Sequence, residues 1–456
     1  MRPLIPFLAV ALAGCSQIPD LTVPSMDFPA SYANTEASQL TAPQAWWGLF
    51  GSPELDALEQ AALAANHDFK AAVARIEQAE ATLRIAGSPL LPNVTATGTG
   101  SSAMSHSSTT STRTGATVKR SYQGSVAASY EVDFWGKNAA SVQSAEASLA
   151  ASRFDRDVVA LTLTANVAST YFQALALGDR VAVARRNLDI ARQTLELAEK
   201  LAGFGQTSEL EAAQQRSNVA LIEAQLPALE LQRVQVVDAL AILTGLPPSK
   251  LALNGTTLAG LPAPVVQAGL PSDLLRRRPD IARAEANLAA ANANIGIARA
   301  QLFPTVSLTA EGGLLNPYLI SLADAHNTFW SLGTSIAGTL FDNGKLRGNV
   351  DLSEAKLRES AETYQGVVLT ALKEVEDSLA GTHWLAQQED AQNRAVTFAR
   401  EAQRLSDVRY REGAVEYLTV LESQRTLLQA EDGAVQVRLA RLTASVNLVK
   451  ALGGGM

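Results

Sequence analysis

Apolar and polar residues alternate strictly through residues 121–134. Tyr122, Gly124, Val126, Ala128, Tyr130, Val132 and Phe134 fall on one face of an extended chain. Ser121, Gln123, Ser125, Ala127, Ser129, Glu131 and Asp133 fall on the other, because successive side chains of a strand point to opposite sides. Residues 305–311 repeat the pattern, with Val306, Leu308 and Ala310 set against Thr305, Ser307, Thr309 and Glu311. Residues 93–100 and 329–341 read as their partner strands, so two hairpins are expected at about 93–134 and 305–341. Residues 101–119 are rich in Ser and Thr, which predicts an exposed loop inside the first hairpin.

Helical spacing dominates the rest. Residues 53–87 read as helix with a break near Asn66-His67-Asp68, and Ala72, Ile76, Ala79 and Leu83 recur three to four apart before Pro89 and Pro92 end the pattern. Residues 138–203 contain no proline and only one early glycine, Gly178. At 1.5 Å per residue they predict a rod roughly 100 Å long. Its counterpart is 346–411. Each rod ends at glycine (Gly203 and Gly205; Gly413) and returns as a shorter helix, 208–244 and 416–452, the first containing Pro227. A return helix covers only part of its rod. The short helix before each hairpin supplies most of the remainder if the two stack end to end.

The chain is written twice. Gly136-Lys137 recurs as Gly344-Lys345, an offset of 344 − 136 = 208, and the same offset relates Gly205 to Gly413 and Gly245 to Gly453. Upstream the offset is 212, as from Asp68 to Asp280, so a four-residue slip lies between Val94 and Gly136. Such a repeat implies two units of one plan. The expected organisation is a signal peptide (1–14), a tether (15–52), a first repeat (53–245), a linker (246–271) and a second repeat (272–453). The linker holds five prolines and three glycines and has room for short strands. Trp46-Trp47, at the end of the tether, fits packing against the helices that follow.

A net charge of −8 argues against nucleic acid as a partner. Arg276-Arg277-Arg278 reads as a helix-end or solvated cluster. The single cysteine, Cys15, excludes an internal disulfide. Arg2, an apolar run and Leu12-Ala13-Gly14-Cys15 form a secretory signal too short to span a membrane. The cleavage region resembles a bacterial lipobox, which implies lipidation of Cys15 by three acyl chains. More than one chain is needed for firm anchoring. Ser16 is not the aspartate of inner-membrane retention, so the outer membrane is expected.

Strands apolar on one face and polar on the other suit a membrane barrel wall. Lipid offers no hydrogen-bond partners, so such a sheet must close. Four strands from one chain enclose nothing, and several chains must contribute. The chain resembles the outer-membrane efflux factor family, TolC-like and closest to the OprM/NodT-type lipoproteins of tripartite RND efflux systems. The resemblance rests on Leu12 through Cys15, Trp46-Trp47, Asp273 through Ile281, residues 298–304, Phe341-Asp342-Asn343-Gly344, Tyr417 through Arg425, and residues 446–454. It implies a mainly α fold with a membrane β-hairpin pair, three chains forming a 12-strand β-barrel continued by a 12-helix α-barrel. It further implies a homotrimer lodged in outer-membrane lipid, with a long periplasmic extension. A periplasmic adaptor and an inner-membrane RND-type transporter would be its partners, and export of small molecules its function.

No enzymatic constellation is present. His67, His106, His326 and His383 are scattered without metal-ligand spacing, and Gly136-Lys137 and Gly344-Lys345 lack the rest of a phosphate loop. No cofactor is expected beyond the lipid on Cys15. Leu418, Glu422 and Arg425 lie four and three residues apart, sharing one helical face just after Gly413. In a three-fold assembly they become rings, and a leucine ring can close a pore while a glutamate ring attracts cations. The same spacing also fits a solvated or packing stripe. The resemblance makes Leu418, Glu422 and Arg425 the periplasmic gate, with Thr419 standing where TolC has an aspartate. It also makes Gly205 and Gly413 the tips that meet the adaptor. A closed gate would pack Leu418 and pair Glu422 with Arg425 or with a neighbouring chain. The rival reading is a lipid-anchored helical spacer that does not transport.

Overall fold

The computed structural model describes residues 17–26, 28–32, 45–107, 115–264 and 266–455. Cys15 and the signal peptide lie outside them. Four strands, β1 (Asn93–Ser107), β2 (Gly115–Val132), β3 (Thr305–Asn316) and β4 (Thr328–Ala337), alternate with eight helices in the described chain. The helices are α1 (Pro53–Ala65), α2 (His67–Gly87), α3 (Lys137–Gly203), α4 (Glu209–Leu243), α5 (Leu274–Arg277), α6 (Pro279–Ala300), α7 (Lys345–Arg411) and α8 (Tyr417–Ala451). The fold is mostly helical with one small antiparallel sheet, as expected. The described residues form two compact units, one from those within 1–25, 75–153 and 283–365, the other from those within 26–74, 154–282 and 366–456.

The first unit holds the sheet, whose strands lie in sequence order, each antiparallel to the next. The register carries the alternation across all four strands. Val94, Val126, Tyr130, Val306, Leu308, Trp330, Leu332 and Ile336 share one face. Thr95, Thr97, Ser125, Ser129, Glu131, Ser307 and Glu311 share the other. The apolar face is left uncovered, unlike that of a water-soluble sheet. Val126 is 53% exposed and Trp330 78%, whereas Ser125 is only 5% exposed and sits 2.9 Å from the hydroxyl of Thr97.

The first hairpin differs from the sequence expectation. Residues 101–107 and 115–119 are strand rather than loop, pairing from Asn93 opposite Ser129 through Ser107 opposite Gly115. Pairing is made by peptide groups, whatever their side chains. Met104 and Val118 pair on the apolar face, but a single large apolar residue in each segment is too few to show an alternation. β4 stops at Ala337, short of residue 341. It pairs there with Thr305, and Pro304 next to it has no N–H to extend the ladder. At this end of the sheet Trp135 stacks on Phe303 at 4.5 Å and donates its indole N–H to the Pro304 carbonyl at 2.7 Å. The tether is held in this unit as well. Asn292 Nδ2 donates to the Pro19 carbonyl at 2.7 Å, and a Cβ on Gly296 would lie 2.5 Å from Ile18 Cγ1.

In the second unit, Trp46 is buried against Phe50, and Phe50 against Phe172 with ring centroids 5.0 Å apart. The described linker residues form no strand. They are fastened to α1 and α3, with Glu54 of α1 accepting from the backbone N–H groups of Asn254 and Gly255 and Asp179 of α3 accepting from that of Leu258. This close approach explains Gly178, since a Cβ there would stand 2.6 Å from the Thr256 carbonyl oxygen. The arginine run splits. Arg276 and Arg277 are exposed, as a solvated cluster requires, but Arg278 is buried between Asp280 and Glu374.

The end-to-end stacking of short helices occurs at both copies. Asn66 accepts from the Phe69 N–H at the start of α2 and donates to the Leu243 carbonyl at the end of α4. Arg278, at the start of α6, donates to the Ala451 carbonyl at the end of α8. Both return helices close on a left-handed glycine, Gly245 (φ 71°) and Gly453 (φ 90°).

Candidate functional site

The two long helices end in the same turn. Gln206 N–H bonds the Leu201 carbonyl at 2.9 Å and Ala414 N–H bonds the Arg409 carbonyl at 2.8 Å, six-residue closures related by the 208 offset. Gly205 (φ 67°) and Gly413 (φ 71°) supply the left-handed residue such a closure requires. A Cβ at either would meet nothing within 4 Å, so conformation and not space demands glycine. Both glycines therefore sit at open tips. Phe204, beside the first, is largely exposed.

Behind the second tip the inner face of α8 is sealed. Tyr410, Tyr417, Val420 and Leu421 form one buried cluster, with Leu197 and Leu201 of α3 packed against it. The two tyrosine hydroxyls cross from α7 and α8 to α4. Tyr410 donates to Glu211 Oε2 at 3.2 Å, and Tyr417 donates to Gln215 Oε1. Gln215 in turn donates to the Ala191 carbonyl of α3 at 2.6 Å. Burial, followed by the negative charge of Glu211, pushes the Tyr410 hydroxyl up to about 12. Burial raises Tyr417 further, with Tyr410 next to it adding to the effect. Both hydroxyls thus keep their protons and act as donors.

The seam continues along α3 and α8. Gln424 donates to Thr194 Oγ1 at 2.8 Å, Asn187 to Glu431 at 3.3 Å, and Arg180 Nε to Asp432 at 2.6 Å. Glu431 is further paired with Arg400 at 2.6 Å. These contacts escaped the sequence reading because their members lie 230 to 252 residues apart. Tyr410, Glu211 and Gln215 were missed for the same reason.

On the opposite side of α8, Leu418, Glu422 and Arg425 form an exposed stripe, and Thr419 is exposed beside it. Among the described residues no ion pair joins Glu422 to Arg425 within the chain. The first tip carries the same leucine. Leu210 is 64% exposed and Leu418 62%, at equivalent positions. The 208 offset relates the two leucines. The charged residues are not repeated, since Gln214 and Ser217 stand where the second tip has Glu422 and Arg425. The arrangement offers a leucine, a carboxylate and a guanidinium in succession along one uncovered face. Among the described residues no three His, Cys, Asp or Glu side chains gather to hold a metal ion.

The outer membrane efflux protein family model matches residues 58–246 and 270–454, one segment in each repeat. The chain is 44% identical to the pyoverdine export outer membrane protein OpmQ of Pseudomonas aeruginosa, over 97% of this chain and 94% of that one. It is 34% identical to the toluene efflux pump outer membrane protein TtgC of Pseudomonas putida, over 98% and 94%. Its structure is similar to the open-state MtrE outer membrane channel of Neisseria gonorrhoeae, with a TM-score of 0.85 at 29% identity over 97% and 98% of the two chains. The outer-membrane channel OprN superposes with a TM-score of 0.88 at 27% identity over 97% and 99%.

Proposed function

The chain belongs to the outer membrane efflux protein family, and we propose that three copies of it form one gated conduit. It is an outer-membrane efflux channel. The observation that carries closure by several copies is the sheet, and the number three is what the family resemblance implies. Its apolar face is uncovered, and β1 and β4 each leave one edge unpaired. An apolar face turned to lipid is stable only when every edge peptide finds a partner. Three chains supply twelve strands, an even number within the range of membrane barrels. They also supply twelve helical rods, since α2 with α4, and α6 with α8, act as two composite rods beside α3 and α7.

Cys15 carries the lipid in this reading. Docking of Ile18 and Pro19 on α6 supports it, because the tether is then held on the unit that contains the membrane sheet. A periplasmic adaptor meets the tips at Gly205 and Gly413, and an inner-membrane RND-type transporter loads the conduit with small molecules. Leu418, Glu422 and Arg425 face the axis as the gate, with Thr419 beside them.

Purified protein in planar bilayers tests this. Heat-modifiable trimers that conduct ions are expected, with higher single-channel conductance for Leu418→Ala and Glu422→Ala. Unchanged conductance in both variants would remove the gate assignment. Monomers without conductance would favour a non-transporting spacer, a role that leaves the uncovered apolar sheet without a purpose.

A further inference from the structure

We propose that a hollow walled by α3, α4, α7 and α8 is a resting site for cargo on the conduit wall. It takes peptide-like solutes, small molecules with several amide groups and some apolar surface. The inference rests on the export reading above and names the class of cargo for it. The hollow measures about 830 Å³, within the range of small-molecule sites. Leu177 and Leu439 give it apolar surface, and Gln173, Gln232, Gln235 and Asn447 ring it with carboxamides. Among the described residues, these four side chains bond no other group of the chain.

Its position identifies it as wall and not exterior. The linker covers α3 at Tyr171, Leu175, Gly178 and Asp179. At 100° per residue, Gln173, Leu177 and Arg180 lie on the far side of that helix. The same holds on α8, where Arg438 donates to the Leu261 carbonyl of the linker while Gln436 and Asn447 face the hollow. Glu422, Arg425, Gln429, Gln436, Thr443 and Asn447 recur three, four or seven residues apart, and so share one face of α8. The hollow and the gate stripe therefore open to the same side. A second hollow of about 540 Å³ shares Arg180 with the first and includes Arg425, extending the track toward the tip.

The chemistry selects against simple ions. Arg180 is neutralised by Asp432, and Asp377 by Lys373. What remains free is a set of carboxamides, each able to donate and to accept. Peptide groups have the same two functions, so an amide-rich solute can satisfy the ring while its side chains cover the leucines.

The test uses full-length trimer in detergent and equilibrium dialysis of a dye-labelled, end-capped tetrapeptide of leucine, serine and two glutamines. Its counterpart methylated at every backbone nitrogen, which keeps the side chains but loses the backbone donors, is the comparison. Saturable binding is expected, weakened about fivefold by Gln173→Leu and by Gln232→Leu, as for one lost hydrogen bond each. The N-methylated peptide should bind more weakly still. Equal binding by both peptides, unchanged binding in both variants, or no saturable binding would overturn the proposal. A Gln235→Cys side chain that resists maleimide in the trimer would do so too, since a second copy would then fill the hollow. Conductance without peptide retention removes this site and leaves the channel intact. Retention by a protein that does not conduct removes the channel reading instead.

Discussion

Arg278 occupies in the second repeat the place Asn66 holds in the first. Asn66 Nδ2 reaches the Leu243 carbonyl at 3.0 Å and Arg278 Nη1 reaches the Ala451 carbonyl at 2.9 Å, with 278 − 66 = 212 and 451 − 243 = 208. Each side chain splices the end of a return helix to the start of a short one. The approach is equally close in both copies, since a Cβ on Gly245 would lie 2.7 Å from the Ala65 carbonyl oxygen and one on Gly453 2.7 Å from that of Arg277.

Alanine at either glycine therefore meets both a left-handed backbone and a carbonyl. Gly245→Ala and Gly453→Ala should each destabilise by about 1–3 kcal/mol. Thermal melts of the detergent-solubilised protein should show two losses that add in the double variant. Full tolerance in one copy would mean that the two splices are not equivalent in energy.

Tyr417→Phe deletes the donor to Gln215 and leaves a buried acceptor without it. The fastening of the tip should weaken by about 1–3 kcal/mol, so the population with splayed tips rises roughly fivefold or more. Longer openings in single-channel records are the readout. Alkali should act similarly through Tyr410. With its pKa raised from 10.0 to about 12, its contribution is complete below pH 10 and is lost as the pH rises through about 12. Openings insensitive to both changes would dismiss the tyrosines as tip fasteners.

Leu332 and Ser331 are neighbours on opposite faces of β4, paired with Ala310 and Glu311. Leu332→Arg places a charge against lipid, at about 2–4 kcal/mol near mid-membrane, whereas Ser331→Arg joins the polar face. Assembly of heat-modifiable trimers in outer-membrane fractions should fall in the first variant and persist in the second. The reverse result would turn the sheet inside out.

Glu59 of α1 is fully buried, and neither carboxylate oxygen has a hydrogen-bond partner in the chain. Burial, then the charge of Asp56, raises its pKa from 4.5 to about 9. A raised folded-state value means that stability from the neutral form is full below pH 4.5 and is lost as pH rises through about 9. The melting temperature of the wild-type protein should fall across that range, by at least ~1 kcal/mol in stability. Glu59→Gln should flatten the profile. Parallel profiles would show that Glu59 does not titrate there.

The long helices were legible because each signal is local. Alternation in 121–134, the proline-free run before Gly203 and the glycines that end each rod depend only on neighbours along the chain. The duplication was legible for a similar reason, as two copies of one local plan. Residues 101–107 were not, because a ladder of peptide groups leaves no side-chain signature when Met104 alone marks the apolar face. Leu418, Glu422 and Arg425 could be placed on one face from their spacing. That Tyr417, one residue before Leu418, turns the other way and holds Gln215 could not.

The sequence by itself determined the elements, their order, their two-fold repetition and the polarity of each face, all set by period and by glycine and proline. Only the tertiary structure decided which faces meet. It brought Gln424 to Thr194, Glu431 to Asn187 and Arg180 to Asp432, and it laid the linker over Gly178 so that the opposite side of α3 stayed open. Those pairings depend on how helices distant in sequence pack, and a buried polar group records its need for a partner without naming one.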